Sequence, residues 1–436
     1  DYEGNAMGHC VGSGGYDDDY TIIYSLRDKD NIPHVTVEFD EESNEFKQIQ
    51  GKGNTKPNEK YYYNILKLYE ETGATNYDEL IKGESYAILN SKVLIGDEAI
   101  LACPSDTVFD SVNLGKDSKI IEWNYSVKNK FIAESYNLEY VNSDCVFGGN
   151  VDISYTKIKE WHCDVPCEFD ASGSKLEYVA PDCKFGGSVN IIHTNINEWY
   201  HDVPGNFNAK GSNLEYVNPD CKFGSSVNIR ETSIKEWYQD VTGNFDAGYS
   251  KLEYVNPKCK FSGNVDINWT NIKEWHHDVP GNFDAEGSNL EYVNSDCVFG
   301  GGVNINHTKN LKEWHHDVPG YFNTSGSKIE YVNSDCVFGA GVRISYTNIH
   351  EWHCNVPYEF NAESSKLEFV NPDCLFGGDV DIRWTKNLKE WHNDVPGDFD
   401  AEDSNLEKII NCKIKGKIYC DDNVEIVNEE KQTMRM

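Results

Sequence analysis

The chain has no long apolar run. Nowhere in its 436 residues does a hydrophobic stretch approach the roughly 20 residues needed to span a bilayer, so no membrane-spanning role is expected. Basic residues are scarce, 39 Lys and Arg against 73 Asp and Glu, a formal net charge of −34. Nucleic-acid backbone is bound through clustered Lys and Arg, so this deficit argues against a DNA or RNA partner. The simplest consequence of the charge is solubility, and a protein partner with a basic surface is a functional one. The N-terminus lacks a basic-then-apolar signal segment. It also begins at Asp1 rather than Met, from which we expect that the residues shown do not begin the gene product.

What is present is a beat. Cysteine recurs at 145, 183, 221, 259, 297, 336, 374 and 412, in steps of 38 residues with one step of 39, and tryptophan keeps time at 161, 199, 237, 275, 314, 352 and 391. Self-similarity at a period of about 20 to 50 residues is the signature of a solenoid, in which each unit buries its apolar edge against its neighbours. The 38-residue unit is itself a doublet. Superposing its halves aligns Val151 with Phe169, Ile153 with Ala171, Thr156 with Ser174, Ile158 with Leu176 and Trp161 with Val179. The physical coil is therefore 18 to 20 residues, with two variants alternating.

Within a coil, Val151 and Ile153 alternate with Asn150, Asp152 and Ser154, a short strand with branched residues inward and polar ones outward. Thr156 in one half-coil, and Ser174 in the other, stand where a hydroxyl can bond backbone as the chain leaves the strand. The scheme h-x-h-x-x-[TS]-x-h-x-x-h resembles the leucine-rich repeat in its short form, with Thr or Ser in place of the usual Asn. The resemblance implies a β-solenoid of leucine-rich-repeat type and a protein-binding surface.

Ladder cysteines two coils apart are separated by roughly 9.6 Å, because strands stack about 4.8 Å apart, whereas a disulfide holds its Cα atoms within about 7 Å. A reduced, buried ladder is expected, which suits the cytoplasm of a host cell or the interior of a virion. Cys163 and Cys167 share one coil and are spaced to bridge. Beside the tryptophans, His276, His277 and Asp278, and His315, His316 and Asp317, invite a metal hypothesis. Adjacent residues of an extended segment point opposite ways, so we expect no metal site, and no cofactor motif is present.

The outward face is more informative. Directly before each Thr sits Tyr155, His193, Glu231, Trp269, His307, Tyr346 or Trp384, bordered by Asp152, Asn190, Asn228, Asp266, Asn304, Arg343 and Asp381. Strict alternation would turn this stripe inward, so its exposure requires a bend just before it. Exposed rings supply contact area at small entropic cost, as in a recognition surface; the alternative is that they stack on one another to support the sheet.

The first 90 residues lack the beat. They read as strands over Thr21–Leu26, His34–Phe39 and Phe46–Gln50, with a helix over Tyr61–Glu71 in a helical-looking stretch that Pro57 opens. Asn76–Lys82 adds a short helix, and Val93–Cys103 caps the solenoid. Three motifs, M-G-H-C-V-G-S-G-G-Y from Met7, I-Y-S-L-R-D-K-D-N-I-P-H-V-T-V-E-F from Ile23 and Q-I-Q-G-K-G-N-T-K-P-N-E-K-Y from Gln48, resemble the PcfJ-like domain over about residues 7 to 70. That family belongs to conjugative plasmids and bacteriophages. It usually has a helical segment before the H-C-V motif; its absence here implies a truncated or processed copy. Gly-rich phage repeats also resemble the solenoid, which points to a phage origin.

These motifs hold a chemical constellation of their own. His34, Thr36 and Glu38 share one face of a strand, His9 and Cys10 precede a Gly-rich turn, and Gln48, Lys52 and Asn54 lie in a loop broken by Gly51 and Gly53 that suits an anion or polar group. A Cys10 nucleophile with a His9 or His34 base and an Asn, Gln or Glu orienter, Glu38 among them, would make an enzyme, with the solenoid selecting its substrate. The plainer alternative is a small α+β fold whose polar residues satisfy turns and edges. The sequence thus predicts an α+β domain over 1–75, a transition and cap over 76–105, a solenoid over 106–412 and a C-terminal cap and tail over 413–436. A non-enzymatic interaction or structural protein is the leading function; the enzyme, and carbohydrate binding along the aromatic stripe, are the alternatives.

Overall fold

The computed structural model describes residues 20–74 and 84–427, in two compact units, Asp1–Gly186 and Gly187–Met436. His9, Cys10 and the helix expected at Asn76–Lys82 lie outside the described residues. In the first unit, β1 (Thr21–Arg27), β2 (Pro33–Asp40) and β3 (Glu45–Gln50) form an antiparallel sheet in chain order. Period-2 alternation on β2 puts Val35, Val37 and Phe39 on one side, where Phe46 joins them. Helix α1 (Tyr62–Thr72) covers that side with Tyr62, Ile65, Leu66 and Tyr69, one apolar stripe at helical spacing. The Phe46 and Tyr69 rings meet at 4.2 Å.

The helix begins later than Pro57 suggests. Asn58 accepts the Lys60 N–H on its side chain and starts a single 3₁₀ turn, Glu59–Tyr61, that leads into α1. Gly73, at φ 70°, ends it by donating to the Tyr69 carbonyl. The solenoid cap also starts earlier than Val93. A hairpin of β4 (Tyr86–Leu89) and β5 (Lys92–Ile95), followed by helix α2 (Asp97–Leu101), lays β4 antiparallel on Ser111–Asn113, the first solenoid strand, which closes that edge.

Both units carry the same coil, and the fold is a small N-terminal α+β region followed by a β-solenoid with coils of leucine-rich-repeat length. Two-residue strands pair in parallel with their counterparts one coil on: Val151 with Phe169 in the first unit, and Val189 with Phe207, then Phe207 with Val227, in the second. A second ladder pairs Trp161 with Val179 and Trp237 with Val255, and a third is made of single bridges such as Val203–Phe223 and Phe223–Val241. The coil register is thus an alternation of 18- and 20-residue steps, with steps of 19 as at Val303–Phe322, Val380–Phe399 and Phe399–Ile418.

Each coil of the threonine type closes on the hydroxyl the sequence singles out. Thr156 donates to the Ile153 carbonyl at 2.7 Å and Thr270 to Ile267 at 2.7 Å, so a buried hydroxyl takes the part usually played by Asn. The outward Asp and Asn are structural as well: Asp152 accepts the Ser154 N–H and Asp266 the Asn268 N–H, both at 2.9 Å, forming Asx turns. Tryptophan fills the core because its one polar atom is satisfied locally. Trp161 Nε1 donates to the Cys163 carbonyl at 2.7 Å and Trp275 Nε1 to His277 at 2.8 Å.

The ladder cysteines are free, and all are buried except Cys412, which is half-buried. Burial pushes the thiols of Cys221, Cys259 and Cys336 up to about 12. Cys163 and Cys167 are not bridged: the Cys163 thiol turns into the core, 3.4 Å from the Asn142 carbonyl. Among the described residues no helix is long and apolar enough to cross a membrane.

The paired histidines divide as extended backbone requires. His277 is buried with Nδ1 3.0 Å from the Cys259 carbonyl, while His276 faces outward, Nε2 3.1 Å from Glu274, and Asp278 accepts the Val298 N–H from the next coil. The three side chains do not converge, and among the described residues no group of three or more His, Cys, Asp or Glu is placed to hold a metal ion. Burial depresses the pKa of His277 and of His316. The unfolded chain therefore takes up protons near pH 6.5 that the folded chain refuses, so these sites lose stability as pH falls below that value. Gln239 and Asn393 occupy the same coil position without titrating. The variant carrying His277→Gln and His316→Gln is expected to lose several degrees less in Tm between pH 7 and pH 5 than the parent, by thermal melts; parallel slopes would rule out these two rings.

Candidate functional site

In the N-terminal domain, β2 puts His34, Thr36 and Glu38 on the face opposite the core. Four residues of strand separate His34 from Glu38, about 13 Å, too far for a hydrogen bond. The partner His34 does have is Asp28, in the D-K-D-N turn, with Nε2 3.0 Å from Oδ2. Asp28 also accepts the N–H groups of Asp30 and Ile32. The Ile32 bond first, and His34 next, hold its carboxyl below the usual range. His34 stacks on Tyr61 at 5.2 Å. A cleft of about 260 Å³ between β1, β2 and α1 is lined by Tyr24, Leu26, Val35, Asn64 and Leu68, among others, and contains neither His34 nor Glu38.

Gln48 stands opposite Glu38 across the β2–β3 pair. Lys52 and Asn54 lie in the exposed 3₁₀ turn Lys52–Asn54, which the Gly51 N–H closes by donating to the Thr55 carbonyl at 2.7 Å. Gly53 and Asn54 both take positive φ there. The Gly51 N–H is thus spent on the loop's own turn.

The solenoid stripe has a sharper geometry. The bend lies at the stripe residue itself: Tyr155, His193, Glu231, Trp269, His307, Tyr346 and Trp384 all have φ between 54° and 61°, the left-handed region. That conformation costs a side-chain-bearing residue roughly 1–2 kcal/mol. Each keeps its N–H in the ladder, as Trp269 does by donating to the Glu286 carbonyl of the next coil at 2.8 Å. The turn throws the side chain outward, leaving Tyr155 56 %, Trp269 44 % and Trp384 50 % exposed.

In the intervening coils the same left-handed position is mostly filled by glycine, at 173, 211, 287 and 326. There the stripe ring lies over the glycine of the next coil: a Cβ on Gly287 would meet the Trp269 ring at 2.7 Å, and one on Gly326 the His307 ring at 2.5 Å. The rings rest on backbone rather than on one another. There are two exceptions: Tyr155 also meets the Tyr136 ring at 6.3 Å, and Tyr249 takes the left-handed position itself and stacks on Trp269 at 6.1 Å and 19°.

A second exposed aromatic row is absent from the sequence argument. Tyr178 in the first unit, and Tyr216, Tyr254, Tyr292 and Tyr331 in the second, project from the Y-V strands with more than 40 % of their surface exposed. Their signal is the L-E-Y-V motif, whose Val is core while its Tyr faces out. The polar neighbours of this row are engaged with one another, Lys273 with Glu291 at 3.2 Å and His276 with Glu274 at 3.1 Å.

Comparison with known proteins agrees with this division. The family model described as PcfJ-like protein matches residues 2–66 and leaves the solenoid outside the match. No curated protein matches the chain. Among solved structures, YopM from Yersinia enterocolitica WA-314 is similar, at 11% identity and a TM-score of 0.34, over 86% of this chain and 100% of that chain. By its own parallel ladders the chain is a repeat protein of the β-solenoid class, with a PcfJ-like segment at its N-terminus.

Proposed function

We propose that this is a non-enzymatic interaction protein, phage-encoded, that binds a protein partner with a basic surface along the stripe His193, Glu231, Trp269, His307, Tyr346 and Trp384 of the second unit, with Tyr155 at the matching position of the first, in the cytoplasm of the host or in the virion. One observation carries this function: seven side chains larger than glycine occupy a left-handed backbone position that alternate coils mostly give to glycine. Backbone geometry alone would select glycine at both. Retaining Trp, Tyr and His at a conformation that disfavours them indicates that the side chain itself is used. Their exposure leaves much of each ring for a partner, and the net charge of −34 favours a basic one.

The PcfJ-like segment then serves to dock the solenoid elsewhere. The His34–Asp28 pair is consistent with that role, because Asp28 is already committed to its own turn. The test is affinity capture from the native host or virion with the full chain and with the variant carrying Trp269→Ala and Trp384→Ala. The wild type is expected to retain a basic protein that the variant loses by at least tenfold, with both folded by circular dichroism. Equal retention by the two would overturn the assignment of the stripe.

A further inference from the structure

The stripe in the second unit is a comb whose spacing and chemistry specify what lies on it. Successive teeth His193, Glu231, Trp269, His307, Tyr346 and Trp384 are two coils apart, about 9.6 Å at the usual strand spacing. Beside five of the six teeth the intervening coil holds a residue without a ring, Gly211, Gly287, Gly326, Ser364 or Asp403. A planar ring is about 3.4 Å thick, so each interval has room for one more flat group beside the tooth.

The chain fills one interval itself. In the coil after Glu231 the usual order, as in Glu286–Gly287, is exchanged to Gly248–Tyr249, and the Tyr249 ring enters the gap beside Trp269. Arg230 also lays its guanidinium over the Tyr249 ring, 4.7 Å from the centroid, with Nη1 3.4 Å from both Asp246 and Asp266. Gly248 is what admits it, since a Cβ there would stand 2.4 Å from Arg230 Nη1 and 2.3 Å from Asn268 Oδ1. That oxygen is buried and accepts no hydrogen bond. Burial pushes Asp266 up to about 6, with Asp246 and Asp284 on the flanking coils adding to the effect and Arg230 opposing it. The layering of guanidinium on ring, bordered by carboxylates, shows which planar group this surface receives.

Resting on the stripe's role in the proposed function, we propose that the comb binds an extended segment of its partner in polyproline II conformation, presenting arginine at every third residue. Three residues of polyproline II advance about 9.3 Å, so the register drifts by only about 1.5 Å over the five intervals. A helix offering every seventh residue advances about 10.5 Å and drifts by about 4.5 Å. In a β-strand every third side chain falls on alternate faces. Each arginine facing an open interval enters it and stacks on the tooth beside it, and pairs with a carboxylate where the bordering row is acidic, as at Asp266 and Asp284. The charge of −34 supplies the long-range attraction.

The probes are two labelled peptides of equal length, composition and charge, (Arg-Pro-Pro)6 and (Arg-Arg-Pro-Pro-Pro-Pro)3, titrated against the full chain at physiological ionic strength by fluorescence anisotropy. The first is expected to bind at least tenfold more tightly. The preference should fall below threefold when Trp269, His307 and Trp384 are all replaced by alanine. Equal affinity of the two peptides for the wild type would reduce the effect to charge alone and overturn the proposal, as would no binding of either. Because both peptides meet the same wild-type protein, folding of the variant does not decide the result. If affinity capture still depends on Trp269 and Trp384 while the peptides are not distinguished, the polyproline occupant is wrong and the stripe stands; if capture does not depend on them, the stripe itself is wrong.

Discussion

Replacing Trp275 with alanine is expected to lower the unfolding free energy of the second unit by about 3–5 kcal/mol, the range for removing a fully buried aromatic ring from a core. The Trp275 side chain is fully buried, with its ring 5.1 Å from Phe283, 5.6 Å from Phe261 and 5.0 Å from His277. Three consecutive coils therefore lose contacts from one substitution. Because a solenoid coil touches only its neighbours, the damage should not spread evenly but should divide the cooperative unit at this coil. Urea denaturation followed by circular dichroism should show a lower midpoint and a broadened or split transition, and limited proteolysis should cut near residue 275. Trp275→Phe keeps most of the ring and loses the bond from Nε1 to the His277 carbonyl, so a smaller loss, about 1–2 kcal/mol, is expected. A loss under 1 kcal/mol for the alanine variant would contradict the packing described.

Gly300→Ala adds one methyl group and is expected to cost at least about 3 kcal/mol, far more than an exposed glycine position normally does. A Cβ on Gly300 would stand 2.2 Å from the Pro280 carbonyl oxygen and 2.9 Å from its carbon. Both are backbone atoms of the preceding coil, so no rotamer change relieves the clash. The coils must part by more than an ångström, which breaks the bond from the Gly300 N–H to the Val279 carbonyl, 2.8 Å long. The same contact recurs at Gly224, Gly339 and Gly377 against Pro204, Pro319 and Pro357. At the equivalent place Ser262 is tolerated, opposite Thr242 in place of proline and with its N–H 3.1 Å from the Val241 carbonyl. Ser262→Gly should therefore change stability by no more than about 1 kcal/mol, measured by the same denaturation. Equal effects at 262 and 300 would mean that the coils have slack at both places.

The two predictions show where the fold was legible. That Trp275 is core could be read from the E-W beat and from its alignment with Val293, the L-E-Y-V valine one coil on. That Gly300 cannot carry a methyl group could not, because the atom it would strike belongs to Pro280, 20 residues earlier, and only the coil-to-coil approach brings the two together. The stripe is divided in the same way. Its members could be named from the residue preceding each Thr, but strict alternation turns them inward, and only a bend in the chain exposes them. The left-handed φ could not be read, since Trp269 and Tyr346 are poor predictors of a conformation normally signalled by glycine.

The N-terminal region was less legible. Its three strands and one helix follow from alternation and from helical spacing, within one or two residues at their ends. The pairing of His34 depends on the D-K-D-N turn folding Asp28 back to it, and a strand pattern does not encode that. The Tyr178 and Tyr216 row was overlooked for a related reason. In the motif L-E-Y-V the tyrosine reads as part of an apolar run, and only the pleat of a two-residue strand sends it outward while Val179 and Val217 go in.

By itself, then, the sequence determined the solenoid, its coil of 18 to 20 residues, the buried Trp and Cys ladders and the absence of any apolar span, because each of these is a local periodicity repeated many times. Only the tertiary structure decided which way the stripe side chains face, why glycine alternates with them, which glycines lie against a neighbouring carbonyl, and which carboxylate His34 meets. Each of those depends on atoms brought together from a neighbouring coil or across a turn, at distances that no pattern within a single coil records.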